Sequence, residues 1–190
     1  MSLKLENIQV TIQAAPILRG ISLELGSGER MGLVGRNGAG KTTVMRTITG
    51  LADLAGGQIF WNGEDITQMS PRDRARLGFG YMPEDRRLVP DLTVEENMLL
   101  PAWVNDAIDG LQRLQFVYDL MPELTKMSKR KALLLSGGQQ KMVALGRALI
   151  AGEKLLLLDE PFEGVAPALA KRISDVITSL KGDGLSVLIA

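Results

Sequence analysis

A glycine-rich segment followed by lysine and threonine carries the clearest chemical signal in this sequence. Its spacing is that of a phosphate-binding loop, in which glycines let the backbone approach a ligand and point successive N–H groups at phosphate oxygens. We expect Lys41 to place its charge against the β- and γ-phosphates and the Thr42 hydroxyl to bind Mg²⁺. The sequence therefore predicts a nucleotide site. The predicted loop consists of Gly35, Arg36, Asn37, Gly38, Ala39, Gly40, Lys41, Thr42 and Thr43.

The residues on either side of the loop support this interpretation, because the pattern requires a strand before it and a helix after it. Arg30–Val34 is a short apolar run typical of a buried strand. Residues 43–49 continue as a helix that Gly50 can end. The alternative, an ordinary glycine-rich turn, does not account for these flanks.

Two adjacent acids, Asp159 and Glu160, follow an apolar run that starts at Lys154 and predicts a strand buried on both faces. The carboxyl ends of such strands are where α/β sheets bind ligands. We expect Asp159 to reach the Mg²⁺ held by Thr42. Glu160 would face the γ-phosphate and act as the catalytic base for an attacking water, since the chain has no histidine. A surface acid pair at a strand end is the alternative, and the Lys41 motif favours the functional interpretation.

The composition excludes several classes of function. The 190 residues are enough for one domain, and 22 basic residues balance 22 acidic ones, so charge gives no reason to expect nucleic acid as the main partner. Without cysteine or histidine there is no disulfide, no thiolate or imidazole metal site and no Ser-His-Asp triad. No apolar run reaches the ~20 residues of a membrane helix and no signal peptide is recognisable, so we expect a soluble, cytoplasmic protein.

The N-terminal part predicts an antiparallel edge. Apolar residues recur at alternate positions in two segments, which predicts paired strands, and the turn Asn62-Gly63 after Gln58–Trp61 predicts a further hairpin. A glycine-rich turn at residues 26–29 leads into the strand before the loop. The alternating residues are Leu3, Leu5, Ile8, Val10, Ile12, Ile21, Leu23 and Leu25.

The middle of the chain predicts a helical subdomain over residues 85–135. Ser70 begins a helix that runs to about Leu77, Gly78–Met82 is a strand, and Thr93 has capping-box spacing before a region that is helical to about Lys131. Apolar residues at helical spacing predict that this subdomain packs a small core of its own. They are Leu111, Leu114, Phe116, Val117, Leu120 and Met121.

A second helix start lies directly before the acidic strand. A serine and a glutamine have capping-box spacing around two glycines, which predicts a second anion site, without a lysine, at a helix N-terminus. The segment is Leu135, Ser136, Gly137, Gly138 and Gln139, and the inward face of its helix would carry Met142, Leu145 and Leu149. A further helix over residues 169–180, with Gly182 near its end, and a strand over Ser186–Ile189 complete the pattern.

The segment LSGGQ at 135–139, placed between the phosphate loop and the acidic strand, resembles the signature of ATP-binding subunits of ABC transporters. The resemblance covers the whole chain. Within that family, Tyr81–Glu84, Leu92–Asn97 and Pro161–Pro167 are most similar to subunits that serve branched-chain amino acid or urea importers.

The resemblance implies an α/β fold: a P-loop NTPase core with a mostly parallel sheet, an N-terminal antiparallel β edge and the inserted helical subdomain. It implies an ATPase that binds ATP and Mg²⁺ as a head-to-tail dimer, in which the signature of one subunit closes over ATP held by another. A homologous subunit can replace the second copy. The other implied partners are transmembrane permease subunits, with a solute-binding protein if the system imports, which would hold the chain on the inner face of the cell membrane.

Three features depart from the family pattern. Glu84 stands where the family usually has a glutamine that contacts the metal and the membrane subunit, and either a variant metal contact or a solvated acid explains it. Ile12 falls where an aromatic residue stacks on adenine, so it is either a weaker platform for the base or a core residue. The sequence also ends at Ala190, before the family's switch histidine, and we expect the C-terminal part of the single domain, residues 1–190, to be missing.

Two other functions stay open. The first is a non-transport ABC-type switch that clamps nucleic acid, which the neutral charge, the compact length and the lack of coiled-coil heptads disfavour. The second is a nucleotide sensor that binds without hydrolysis, which is consistent with the missing histidine.

Overall fold

The computed structural model describes residues 2–180 and 184–190, which form an α/β arrangement of strands and helices. The strands are β1 (Leu3–Ile12), β2 (Ala15–Leu25), β3 (Arg30–Gly32), β4 (Gly56–Trp61), β5 (Glu64–Asp65), β6 (Phe79–Met82), β7 (Leu155–Leu158) and β8 (Ser186–Ile189). The helices are α1 (Lys41–Ile48), α2 (Pro71–Arg76), α3 (Val94–Val104), α4 (Gly110–Leu120), α5 (Pro122–Thr125), α6 (Gly137–Ala151) and α7 (Pro167–Ser179), with a short 3-10 helix at Ala132–Leu134 before α6.

The predicted antiparallel edge is confirmed. In the described residues, one sheet has the strand order β2-β1-β4-β5, with antiparallel neighbours throughout. The alternation in β1 buries Leu3, Leu5, Ile8 and Val10 on one face. Asn62 and Gly63 both have positive φ, 53° and 83°, as the predicted two-residue hairpin turn requires.

The second sheet is parallel and has the order β3-β8-β7-β6 in the described residues. All four residues of β7 are buried, because α6 and α7 cover one face of the sheet and α1 and the antiparallel sheet cover the other. The predicted strand Arg30–Val34 is shorter than expected. The Leu33 N–H still donates to the Ile189 carbonyl at 2.7 Å, but Val34 is 99% exposed, because the chain leaves the sheet there to enter the glycine-rich loop.

The predicted helix starts are confirmed by their caps. The side-chain oxygens of Ser70, Thr93 and Ser136 accept from backbone N–H groups three residues on, and the last two form complete capping boxes. Helix α1 begins at Lys41, two residues earlier than expected, so that Lys41 and Thr42 lie in its first turn. The lysine and hydroxyl of the motif are therefore held by helical backbone rather than by a loose loop.

The helical segment does not pack a core of its own, and that prediction is wrong. Its buried side chains join one cluster with α6 and with one face of the parallel sheet. Helix α6 allows this because it has glycine at 146, where a Cβ atom would lie 2.8 Å from Met98 Sδ and 3.2 Å from Val117 Cγ1. Leu111, predicted as a core residue, is 78% exposed. The domain boundaries predicted for this segment stay a prediction.

The remaining elements agree with expectation over the residues that the structure describes. Helix α7 buries Ile173, Val176 and Ile177, and β8 lies between β3 and β7. Gly182 lies outside the described residues. In the described part of the chain, no helix has the length and apolar character needed to span a bilayer.

Candidate functional site

A cavity of about 600 Å³ lies beside the N-terminus of α1, and most of the residues predicted to bind nucleotide line it. The lining comes from β1, β2 and the turn between them, from the phosphate loop and the start of α1, and from acids of two other segments. The lining residues are Ile12, Gln13, Ala15, Ile17, Asn37, Gly38, Gly40, Lys41, Thr42, Thr43, Glu84, Glu160 and Glu163.

The backbone of the loop has the conformation that its glycines predict. Gly38 and Gly40 have φ angles of 79° and 95°, and a Cβ atom at Gly40 would lie 2.7 Å from Leu18 Cδ2. Within the loop, the Ala39 N–H donates to the Arg36 carbonyl at 3.0 Å. Gly40 is the N-cap of α1 and supplies no side-chain cap. The helix therefore presents main-chain N–H groups to the cavity, the arrangement that binds anions at helix N-termini.

Lys41 is the cation at the floor of the cavity. Its ammonium donates to the Gly35 carbonyl at 3.0 Å and forms an ion pair with Glu160 Oε1 at 3.0 Å. The two side chains are 14% and 29% exposed, so the pair is half-buried rather than freely solvated. A phosphate that enters the cavity competes with Glu160 for this ammonium.

Asp159 lies at the end of β7 and is fully buried. Its Oδ1 accepts from the Thr42 hydroxyl at 3.1 Å, and its Oδ2 accepts from the Tyr81 hydroxyl at 3.1 Å. Burial raises the pKa of Asp159, and the two hydroxyl donors act in the opposite direction. Burial and the nearby Asp159 charge also raise the pKa of Tyr81, so its hydroxyl remains a donor at neutral pH.

The adjacent oxygens of Thr42 and Asp159 suit a hard divalent cation, since Mg²⁺ prefers carboxylate and hydroxyl oxygens. No cluster of three or more acidic or thiol side chains that suits a metal occurs in the described residues. Such clusters are not needed for Mg²⁺, which is commonly bound by one or two carboxylates together with substrate phosphates and water. The residues present therefore fit a cation that is shared with a phosphate ligand.

Two of the three departures from the family pattern, Ile12 and Glu84, line the cavity. Ile12 is 45% exposed, so the alternative that it is a core residue is wrong. Glu84 also lines a second cavity of about 220 Å³, which contains Asp159 and Tyr81 and shares Thr42 with the first. Glu84 is exposed and, like Thr42, lines both cavities.

The segment at 135–139 is not among the residues that line this cavity. Ser136 Oγ accepts from the Gln139 N–H at 3.3 Å, and Gln139 Oε1 accepts from the Ser136 N–H at 3.0 Å, which closes a capping box at the start of α6. Leu135 is 7% exposed and packs into the core, whereas Ser136 and Gly137 are exposed and Gly138 is half-buried against Leu169. One chain thus brings the phosphate loop and the two acids together and leaves the LSGGQ segment elsewhere on its surface.

Sequence reasoning missed two residues that contact the predicted site, Tyr81 on Asp159 and Lys141 on the backbone of Glu160. The position of Tyr81 has a weak signal, because β6 pairs with β7 and residues near the end of β6 reach the end of its neighbour. The position of Lys141 has a clearer signal. Lys141 directly precedes Met142, which lies on the predicted inward face of α6, and a charged side chain that is buried there needs a partner.

Comparison with known proteins gives a consistent result. The pattern of the ABC transporter family matches residues 18–163. The chain is 37% identical over 172 residues to the high-affinity branched-chain amino acid transport ATP-binding protein BraG of Pseudomonas aeruginosa, covering 90% of this chain and 74% of that protein. It is also 37% identical over 186 residues to the lipopolysaccharide export system ATP-binding protein LptB of Haemophilus influenzae, covering 97% and 77%.

Solved structures agree with these relatives. The crystal structure of the ADP conformation of MJ1267, an ATP-binding cassette of an ABC transporter, superposes with a TM-score of 0.82 at 30% identity and covers 100% of this chain and 80% of that one. The dimeric structure of a post-hydrolysis state of the cassette MJ0796 has a TM-score of 0.86 at 22% identity, covers 99% and 87%, and shows the common fold. The predicted fold class is thereby confirmed, and the chain belongs to the ABC transporter family as an ATP-binding subunit with ATPase activity.

Proposed function

We propose that the 600 Å³ cavity binds ATP with its phosphates on the loop Gly35–Thr43. The observation that carries this proposal is a pair of contacts made by two neighbouring residues that line the cavity: Lys41 with Glu160, and Thr42 with Asp159. The first pair supplies a cation for phosphate and an acid for water, and the second supplies oxygens for Mg²⁺. The aliphatic side chains of Ile12 and Ile17 would cover one face of the adenine.

Hydrolysis follows from these contacts. The γ-phosphate takes the Lys41 ammonium from Glu160, which frees that carboxylate to accept a proton from an attacking water. The water oxygen bonds to the γ-phosphorus, the bond to the β–γ bridging oxygen breaks, and ADP leaves with that oxygen. When bound, Mg²⁺ neutralises the charge on the β- and γ-phosphates. Thr42 and Asp159 would hold the ion, with Glu84 close by.

A second copy, or a homologous subunit, would complete the site. The LSGGQ segment does not line the cavity of its own chain, yet it is a helix N-terminus with exposed serine and glycine. Leu133 and Leu134, directly before it, are 65% and 63% exposed and add apolar surface suited to an interface. Head-to-tail pairing places each of the two segments over the ATP of the partner. Closure would then drive transmembrane permease subunits that hold the chain at the membrane.

For the transported solute, we propose a branched-chain amino acid or a similar small polar solute that is imported with the help of a solute-binding protein. The identity to BraG and the motifs around residues 81–97 and 161–167 support this direction. The equal identity to LptB supports a second candidate, export of a lipid-linked substrate. Reconstitution with each type of permease separates the two, because only the correct pair stimulates ATP hydrolysis.

The experiment for the ATPase site is the substitution Glu160→Gln. Loss of the base should lower kcat by about 10²–10⁴, while the dissociation constant for ATP stays near the wild-type value and an ATP-bound dimer accumulates in sedimentation. Glu163→Gln is the matched control, because it neutralises another acid that lines the same cavity, and it should retain most of the activity. A Glu160→Gln protein that hydrolyses ATP at the wild-type rate would contradict the assignment.

A further inference from the structure

Lys141 is a buried cation on α6, the helix that begins with the LSGGQ segment, and only 2% of it is exposed. Its ammonium donates to the carbonyl of Glu160 at 2.7 Å and to the carbonyl of Glu163. Burial and the nearby charge of Arg86 lower the pKa of Lys141, and the carboxylates of Glu163 and Glu160 act in the opposite direction. A buried ammonium that donates to two carbonyls of one short segment restrains the backbone conformation of that segment.

The segment that Lys141 holds has an unusual conformation. Glu160 has a φ of 47°, a left-handed angle that residues with a side chain rarely adopt and that persists only when the surroundings enforce it. The Glu163 N–H closes the turn by donating to the Glu160 carbonyl at 3.2 Å, and the Glu160 N–H donates to the Ala190 carbonyl at 3.2 Å. The Lys141 ammonium joins the two carbonyls of this turn to α6.

We propose that Lys141 is a positioning residue for ATP hydrolysis: it fixes the backbone turn at Glu160–Glu163 so that the Glu160 carboxylate is directed into the nucleotide cavity. This inference rests on the role proposed for Glu160. The backbone angle sets the direction of the side chain, and that side chain lies 3.0 Å from the Lys41 ammonium. Without the Lys141 bonds, the turn can relax to a right-handed conformation and move the carboxylate away.

The contact of Lys141 with the Glu160–Glu163 turn has a second consequence. Lys141 lies one helical turn after Gly137, and the first turn of α6 carries the segment that would contact the ATP of the partner copy. Any shift of α6 on binding that ATP would move the Lys141 ammonium and the Glu160 carbonyl that accepts from it. Lys141 would therefore couple the two sites of a dimer.

The test compares Lys141→Met, which keeps the length of the side chain and removes the donor, with Lys141→Arg. We expect Lys141→Met to lower kcat by about 10- to 100-fold, the effect of a small misplacement of a reacting group, with the dissociation constant for ATP unchanged within about twofold. Lys141→Arg should restore most of the loss. Arg172→Met is the control, since Arg172 also donates to a main-chain carbonyl, that of Leu120, far from the cavity, and it should keep the wild-type kcat.

A double-mutant cycle shows whether Lys141 acts through Glu160. In a Glu160→Gln background, single-turnover rates should show no further loss from Lys141→Met, because the carboxylate that it positions is already gone. A wild-type kcat in Lys141→Met, or an equal loss in both backgrounds, would overturn the proposal. If Lys141→Met does not fold, Lys141→Gln takes its place under the same criteria. A normal rate in Glu160→Gln alone would instead refute the proposed function.

Discussion

Two helix N-termini in this chain have similar sequences and different structures. The N-cap residue of helix α1 is Gly40, which has no side chain to cap the helix, and this end opens into the nucleotide cavity beside Lys41. The N-cap residue of helix α6 is Ser136, which forms both bonds of a capping box with Gln139, and this end lies outside that cavity. Both carry glycines that allow close approach of a ligand. Lys41 and Glu160 lie at the first, whereas the guanidinium of Arg86 lies beside Gly137 at the second and donates to Gln140.

The N-termini of α1 and α6 therefore differ in how they can bind a ligand. The N-terminus of α1 leaves its backbone donors to a ligand and gathers the groups that act on it, so it is a binding site in its own right. The capped N-terminus of α6 is stable without a ligand, because its own side chains satisfy some of its backbone donors. Such an end can remain exposed until a ligand held by another molecule binds to it. Substitutions at the two helix ends and at the acids beside them test this difference.

Lys41→Met should have the largest effect on binding. It removes the cation at the open helix end, and a hydrogen bond to a charged group contributes about 1.5–3 kcal/mol, so ATP binding should weaken by about 10- to 100-fold. Titration with a fluorescent ATP analogue measures this. An unchanged dissociation constant would show that the phosphates lie elsewhere.

Tyr81→Phe should lower the apparent affinity for Mg²⁺ in ATP hydrolysis and should not affect the LSGGQ segment. Tyr81 donates to Asp159 Oδ2, whereas Thr42 donates to Oδ1, and loss of a partner that orients a metal ligand typically costs about 10-fold or more in affinity or activity. The Mg²⁺ concentration for half-maximal hydrolysis should rise accordingly. Tyr118→Phe is the matched control, because Tyr118 donates to the Glu95 carboxylate in the helical region. If this concentration rose equally in both variants, Tyr81 would have no specific role at the metal site.

Ser136→Ala and Thr93→Ala remove the same kind of cap at two places. Each hydroxyl serves a complete capping box, so each change should cost about 1 kcal/mol of unfolding free energy. Only Ser136→Ala should also lower ATP hydrolysis, because its hydroxyl would contact the phosphate of the partner, and neither should weaken ATP binding to the isolated chain. Denaturant unfolding and steady-state rates measure the two effects, and equal loss of hydrolysis in both variants would count against a role for the signature.

Features that depend on local sequence were predictable. The loop glycines, the serine and threonine caps and the Asn62-Gly63 turn each follow from the conformation of a few neighbouring residues, and the structure has them where they are expected. The buried run before Asp159 is likewise a local signal. The fold class and the core of the candidate site therefore follow from the sequence.

Contacts between distant residues were not predictable, because no local pattern records them. Lys141 reaches Glu160 because the start of α6 packs beside the end of β7, and Tyr81 reaches Asp159 because β6 is the neighbour of β7. The core predicted for the helical segment was wrong for the same reason. Helical spacing shows which face of a helix is apolar but not which element packs against that face, and here α6 packs against it.

If one ATP is held by the loop of one copy and the signature of another, mixing two inactive variants should restore ATP hydrolysis. In a mixture of Lys41→Met and Ser136→Arg, a mixed dimer has one site with both defects and one site with neither. Random pairing should therefore restore about a quarter of the wild-type sites, measured as ATP hydrolysis well above that of either variant alone. A mixture that stays as inactive as its components would contradict the shared site.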